Sequence, residues 1–222
     1  MSETLQLALI LIPCLVVAIV FHEVAHGWAA LALGDPTAKE RGRLTLNPIR
    51  HVDPVGTVLL PGALALAGAP VFGWAKPVPV DARRLSNPRS GMMAVAAAGP
   101  ATNFALALLG AAALGIAFAA GVPTGVVTQA FYSFVLINLF IGVFNLLPIP
   151  PFDGSHIVEG ALPRRWAAGY QALRPFGMVL FIALIALAWL APEWNVLERT
   201  VGPPVQWLME RYLIFAVALG GG

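Results

Sequence analysis

Between Leu7 and Leu33 the chain is almost wholly apolar, and the strongly polar side chains in that stretch, the Trp28 indole apart, are His22, Glu23 and His26. A run of this kind has room for a membrane-spanning helix, which needs roughly 20 consecutive apolar residues. The polar trio then narrows the possibilities, because ionisable groups in hydrocarbon are costly unless they bind something. Histidines four residues apart project from one face of a helix, about 5.4 Å from each other along its axis, so both rings can converge on one ion. Glu23 lies beside them. In the order His-Glu-x-x-His the carboxylate is placed to take a proton from water while a metal ion polarises a carbonyl, which is the signature of zinc hydrolases. Isolated histidines on a membrane helix more often hydrogen-bond to neighbouring helices, but three polar residues in this order favour the metal.

Composition agrees with a membrane setting. Hydrophobic residues make up 59% of the chain and charged residues 11%, and the mean hydropathy is +0.80; a soluble domain carries roughly 25% charged residues. The 222 residues leave room for one helical domain, and no added soluble receptor or regulatory module is expected. A net charge of +2 gives no ground for expecting nucleic acid as a partner. Cys14 stands alone, which excludes an intrachain disulfide. Residues 1–4 hold no Lys or Arg, so the first apolar run reads as a retained helix rather than a signal peptide.

Further apolar segments cover Val55–Ala69, Met92–Ala120, Val126–Leu147, Phe176–Ala191 and Pro204–Leu219. Val55–Ala69 is too short for a crossing of roughly 20 residues and contains Pro61. The charges decide how to read it. Lys39, Arg41, Arg43 and Arg50 precede it, Lys76, Arg83, Arg84 and Arg89 follow it, and Arg164, Arg165 and Arg174 lie in a later loop. If the segment dips in and returns, all of these share one face and only Arg199 lies in a loop on the other; if it crosses, the bias disappears. The segment therefore reads as re-entrant, the basic loops as cytoplasmic and the N-terminus as outside. The expected fold is an all-α polytopic membrane protein, a bundle of about four to six membrane segments with one re-entrant segment and short extended strands near the cytoplasmic face. The site would lie roughly 10–16 Å from the cytoplasmic end of the first helix and take water through a protein-lined cavity.

A catalytic zinc takes three protein ligands and keeps one position open. The candidates for the third ligand are Glu40, His51, Asp153 and His156. Glu40 lies among Lys39, Arg41 and Arg43, where a solvated ion pair is the expected role. His51 sits next to the re-entrant segment and reads as a marker of the interface, and His156 reads as a polar residue at a helix start. Asp153 follows Pro148, Pro150 and Pro151, which break the preceding helix and turn the chain back toward the core. The re-entrant topology also puts it on the same face as the two histidines. Its bland alternative is an N-cap on a short helix near Gly154.

These residues resemble the site-2 protease type of intramembrane zinc metalloprotease. The resemblance runs through FHEVAHGW, the loop GDPTAKERGRLTLNPIRHVDPVGT, FGWAKPVPV, AGPATN and NLLPIPPFDGSHI, and covers nearly the whole chain up to about Gly160. It implies one Zn2+ per chain held by His22, His26 and Asp153, with Glu23 as catalytic base. It also implies that Asn145, eight residues before the aspartate, helps hold the substrate strand or stabilise the oxyanion. Asn103 completes the family's Gly-Pro-x-x-Asn element, where an amide either fastens helices together or serves the site. Residues 1–160 would form the catalytic core and 161–222 the C-terminal membrane helices.

Cleavage of a transmembrane helix requires that a stretch of it first be drawn out, since its carbonyls are held in internal hydrogen bonds. Arg43–Leu46 and Lys76–Val80 read as short extended segments, and an edge there would accept the unwound substrate as an added strand. The expected partners are transmembrane protein substrates and the lipid bilayer, with a separate adaptor also conceivable, and the expected location is a prokaryotic cytoplasmic membrane. A zinc transporter or a catalytically silent scaffold is the competing reading, and neither would require Glu23 between the histidines. The role of the last apolar segment, which contains Glu210 and Arg211, is left open by the sequence.

Overall fold

The computed structural model describes residues 2–68 and 73–221. Its helices are α1 (Glu3–Ala32), α2 (Thr37–Glu40), α3 (Leu60–Leu66), α4 (Pro88–Ala119), α5 (Val126–Asn145), α6 (Asp153–Ala161), α7 (Arg164–Gln171), α8 (Gly177–Leu190), α9 (Val196–Thr200) and α10 (Gly202–Leu219). Four stretches are long and apolar enough to cross a membrane: Glu3–Ala32, Pro88–Ala119, Val126–Asn145 and Arg164–Leu190, the last joining α7 and α8. The chain is an all-α, multi-pass membrane protein. Its outer surface fits that setting, since Leu9, Ile12, Leu109, Ile116 and Val179 are each more than half exposed, an arrangement suited to hydrocarbon rather than water.

The centre of the bundle is α4, which packs against α1, α5, α6 and α10. Lipid tails are as apolar as the helix surfaces, so close packing must hold the helices together, and small residues allow it. Ala107 and Ala111 of α4 are fully buried against Val135 and Leu139 of α5. The same core takes in Val205, Met209 and Ala216 of α10. The last apolar segment is thus a packed member of the bundle, with the Arg211 guanidinium lying 5.7 Å from the centre of the Trp207 ring.

The long connection between α1 and α4 begins and ends at one end of the bundle. Leu33 O, at the end of α1, accepts from Ser86 N at 2.9 Å and from Ser86 Oγ at 3.0 Å. Asn87 then caps α4, accepting from Arg89 N and Ser90 N, with Pro88 in the first turn where its missing N–H costs nothing. Between these points, a π-type turn over Pro54–Leu59 leads into α3, and the Asp53 carboxylate caps it by accepting from Val55 N and Gly56 N. At about 1.5 Å per residue the seven residues of this helix fall short of a bilayer crossing, and by Ser86 the chain is back at the end of α1. Ala69, where the apolar segment ends, lies outside the described residues.

The two expected extended segments form no β-ladder among the described residues. Instead, residues 73–80 run irregularly past α1, donating from Trp74 N to Gly56 O at 3.1 Å and from Lys76 N to His51 O at 2.9 Å. Pro77 and Pro79 have no N–H to give, which prevents a continuous ladder here. Asp35 anchors the far end of this segment. Its buried carboxylate accepts from Thr37 N at 3.0 Å, Thr37 Oγ1 at 2.5 Å and Asp81 N at 2.6 Å. Burial pushes its pKa up, but these donors outweigh burial and hold the carboxyl below its usual range.

Arg89 near the start of α4 donates to Glu159 O and Leu162 O, so the end of α6 lies at the same end of the bundle as Leu33 and Ser86. In a chain with Cys14 replaced, cysteines at exposed Lys39, Arg83 and Arg165 should react with a membrane-impermeant thiol reagent from one side, and a cysteine at Thr124 from the other. Labelling of position 39 and position 83 from opposite sides would refute this topology.

Candidate metal centre

His22 and His26 lie on one face of α1, one helical turn apart, with their Nε2 atoms 3.1 Å from each other. Asp153 comes to them from the first residue of α6. After α5 ends at Asn145, the prolines at 148, 150 and 151 prevent the helix from continuing, and the chain turns back. Phe152 caps α6 without a side-chain bond, so the Asp153 carboxylate is not used as an N-cap. Its Oδ2 lies 3.1 Å from His22 Nε2 and 3.3 Å from His26 Nε2. Among the described residues, His22, His26 and Asp153 form the group with the spacing and chemistry to hold a metal ion.

The donors and acceptors around the trio favour a cation between them. His22 Nδ1 lies 2.6 Å from Asn103 Oδ1, and His26 Nδ1 lies 2.7 Å from Val95 O. Both partners are acceptors, so each Nδ1 carries a proton and each Nε2 presents its lone pair inward. Asp153 Oδ2 is buried and receives no hydrogen bond. Three electron-pair donors thus face one another across edges of 3.1, 3.1 and 3.3 Å. Ligands about 2.0–2.1 Å from a tetrahedral zinc are separated by about 3.3 Å, so the residues present fit the ion.

The central helix makes room for the rings. A Cβ on Gly99 would lie 2.6 Å from His22 Cε1 and from His26 Cε1 and Nε2, so only glycine lets α4 come this close. Pro100 follows it inside the helix and removes one i→i−4 donor in the turn beside the site.

Glu23 and Asn145 line the same cavity as the trio, a space of about 620 Å³. Glu23 Oε2 accepts from Val78 N at 2.8 Å, which ties the 73–80 segment to the middle of the His-Glu-x-x-His turn. Asn145 donates from Nδ2 to Ile141 O of its own helix at 3.0 Å. Asn103 is elsewhere: it is fully buried between helices behind His22, with Nδ2 donating to Ala18 O and Asn138 Oδ1. Its bonds join α1, α4 and α5, and its Oδ1 faces His22 rather than the cavity, so it is not placed to touch a substrate or an oxyanion there. The cavity walls away from the polar cluster are apolar, with Leu15 and Ile19 of α1, Phe140 and Phe144 of α5, and Phe181 of α8.

The remaining ligand candidates have other partners. Glu40 pairs with Arg84 at 2.7 Å on the exposed surface. His51 is buried, its Nε2 meets Thr45 O at 2.8 Å, and its carbonyl receives Lys76 N. His156 lines the cavity and meets Arg174 through Nδ1 at 2.8 Å; burial and then the Arg174 charge push its pKa down, which keeps the ring neutral. Asn138, which sequence reasoning passed over, had one signal available: it lies seven residues before Asn145, on the same face of a mostly apolar helix.

Comparison with known proteins agrees with this chemistry. Residues 111–187 match the sequence profile of Peptidase family M50. A Bacillus subtilis protein named as a zinc metalloprotease, YwhC, is 40% identical over 194 residues, covering 83% of this chain and 85% of its own length. The chain belongs to peptidase family M50. Rip2 of Mycobacterium tuberculosis, also named as a zinc metalloprotease, is 33% identical over 184 residues, which cover 78% of this chain and 66% of Rip2. Rip3 of the same species is 42% identical over 99 residues, 42% of this chain and 24% of Rip3. No solved structure matches the chain. As a member of this family the M50 chain is a zinc-dependent metalloprotease, with zinc as the metal.

Gly99 gives the sharpest mutational test of the centre. Gly99→Ala should displace both imidazoles at a cost of about 1–3 kcal/mol, typical of overpacking, and zinc content after dialysis should fall while far-ultraviolet circular dichroism stays helical. Full zinc retention in that variant would show that the rings do not depend on the close approach of α4.

Proposed function

We propose that this M50 protease is an intramembrane endopeptidase that hydrolyses a peptide bond in or near a transmembrane segment of its substrates. The observation that carries the reading is the meeting of His22, His26 and Asp153, with Glu23 in the same cavity, on helices that are otherwise apolar. The catalytic groups fall within residues 1–160, and residues 161–222 supply supporting membrane helices. The positive loops support a site toward the cytoplasmic side of a cell membrane, and their distribution favours reading the short helix at Pro54–Leu66 as re-entrant from that face.

The metal ligands in this reading are His22, His26 and Asp153. Bound zinc supplies Lewis-acid polarisation of the scissile carbonyl and of the attacking water. Glu23 is the general base. With Oε2 held by Val78 N–H, Oε1 is free to take the proton that water gives up as its oxygen joins the carbonyl carbon. The same carboxyl then delivers that proton to the departing amide nitrogen as the C–N bond breaks. Asn145, on the cavity wall, holds the substrate backbone or the developing oxyanion.

Substrate binding follows from the segment at 73–78. Trp74, Lys76 and Val78, alternate residues, donate toward the protein, and the carbonyls of Trp74 and Lys76 accept from Thr57 Oγ1 and Arg43 on that side. Residues of an extended chain direct N–H and C=O to the same edge and alternate between edges. The other edge then belongs to Gly73, Ala75 and Pro77, all of which line the cavity. An unwound stretch of a transmembrane substrate adds to that edge as a strand, which brings its carbonyl to the metal centre.

The deciding experiment is cleavage of a panel of single-span membrane proteins by reconstituted enzyme, with zinc measured in each variant. Glu23→Gln should keep its zinc and lose at least about 10²-fold in rate, the usual worth of a general base. His22→Ala and Asp153→Asn should lose both zinc and cleavage. Wild-type cleavage by Glu23→Gln would remove Glu23 from the mechanism, and zinc transport surviving that change would favour a transporter instead.

A further inference from the structure

The bundle completely buries two asparagines, Asn103 on α4 and Asn138 on α5, and of these Asn103 touches the metal centre. An amide among apolar helices is costly unless its polar atoms are paired, and here the pairing fixes a direction. Asn138 Nδ2 donates to Phe134 O on its own helix at 2.9 Å. A carbonyl only accepts, so the nitrogen of Asn138 faces Phe134 and its Oδ1 is turned to α4. That oxygen accepts from Asn103 Nδ2 at 3.0 Å, and Ala18 O on α1 accepts from the same nitrogen at 3.1 Å. Both amide protons of Asn103 are then committed. Its Oδ1 is left facing His22 Nδ1 as an acceptor, which puts the ring proton on Nδ1 and leaves Nε2 with its lone pair toward His26 and Asp153.

We infer that Asn138 is a positioning residue for the metal centre: through Asn103 it fixes the His22 tautomer that presents Nε2 to zinc. This rests on the reading of His22, His26 and Asp153 as the zinc ligands. Without the Asn138 oxygen, a buried Asn103 N–H loses its acceptor, and Ala18 O alone is left to hold the amide against turning. A turned amide offers N–H to His22 and selects the opposite tautomer, with its proton on Nε2 where the metal belongs. His26 is anchored separately by Val95 O, a bond that passes through neither asparagine, so it serves as an internal control.

The test uses the full chain in lipid nanodiscs, with zinc affinity measured by chelator competition and histidine ring N–H resonances recorded on the zinc-loaded protein. Asn138→Leu should weaken zinc binding by about tenfold or more, as loss of outer-shell support does, and should shift the His22 Nδ1–H resonance while that of His26 stays in place. Asn138→Asp should restore both readouts, because burial keeps the carboxyl protonated, its C=O accepts from Asn103 and its O–H donates to Phe134 O. If Asn138→Leu does not fold, Asn138→Ser, too short to reach Asn103, carries the same expectation. Unchanged affinity with an unmoved His22 resonance would overturn the inference, as would equal shifts at both histidines, an Asp variant as impaired as the Leu variant, or a wild-type His22 bound through Nδ1. A wild-type protein that holds no zinc would instead strike the reading of the site itself.

Discussion

Two imidazoles and a carboxylate inside a bundle of apolar helices carry a desolvation cost that must be offset by partners, and the arrangement of this M50 protease follows from where those partners are found. Asp153 reaches the histidines because the chain breaks after α5 and turns back at its prolines. The histidines can receive it because each Nδ1 is already occupied, one by Asn103 and the other by the Val95 carbonyl. With those bonds made, the remaining lone pairs converge on one point, and a zinc ion held there would neutralise their mutual repulsion. Gly99 and Pro100 are part of the same solution, since a side chain at 99 would occupy the space of the rings.

The loop between α1 and α4 does more than connect them. Its first turn is fixed by Asp35, whose buried carboxylate holds Thr37 on one side and the backbone of Asp81 on the other. Between these anchors the chain at residues 73–80 is held against α1 closely enough for Val78 N–H to meet Glu23, and a Cβ on Gly27 would lie 3.0 Å from Val78 Cγ1. The two prolines that flank Val78 limit the hydrogen bonds this stretch can make, and the stretch lines the cavity. In this way a segment with no regular secondary structure becomes the link between the histidine helix and the space where a substrate would lie.

Much of this was legible in the sequence. The helical spacing of His22 and His26 is a property of local geometry, and the apolar runs announce the spans through solvation alone. The charge asymmetry around Val55–Ala69 favoured a stretch that does not cross, and the meeting of Leu33 with Ser86 at one end of the bundle is compatible with that reading. The exposed pairing of Glu40 with Arg84, rather than with the neighbouring basic residues, was foreseen in kind but not in partner. The segment at 76–80 was expected as a strand and is instead an irregular stretch, since its hydrogen bonds go to the His51 carbonyl and to a side chain on α1. The role of Asn138 was missed because an amide in a helix acquires meaning only from the helices that face it.

The sequence by itself determined that the chain lives among lipids, that two histidines and Glu23 share one turn of a helix, and that the chain must break just before Asp153. Each of these depends on residues close together along the chain. Only the tertiary structure decided that Asp153 meets His22 and His26 at the candidate metal centre, that Asn103 and Asn138 line up behind His22, and that Val78 reaches Glu23. Those contacts join residues separated by 35 to 131 positions, as the pairs Asn103–Asn138 and His22–Asp153 show. No local preference encodes them, because they exist only when α1, α4, α5 and α6 have packed.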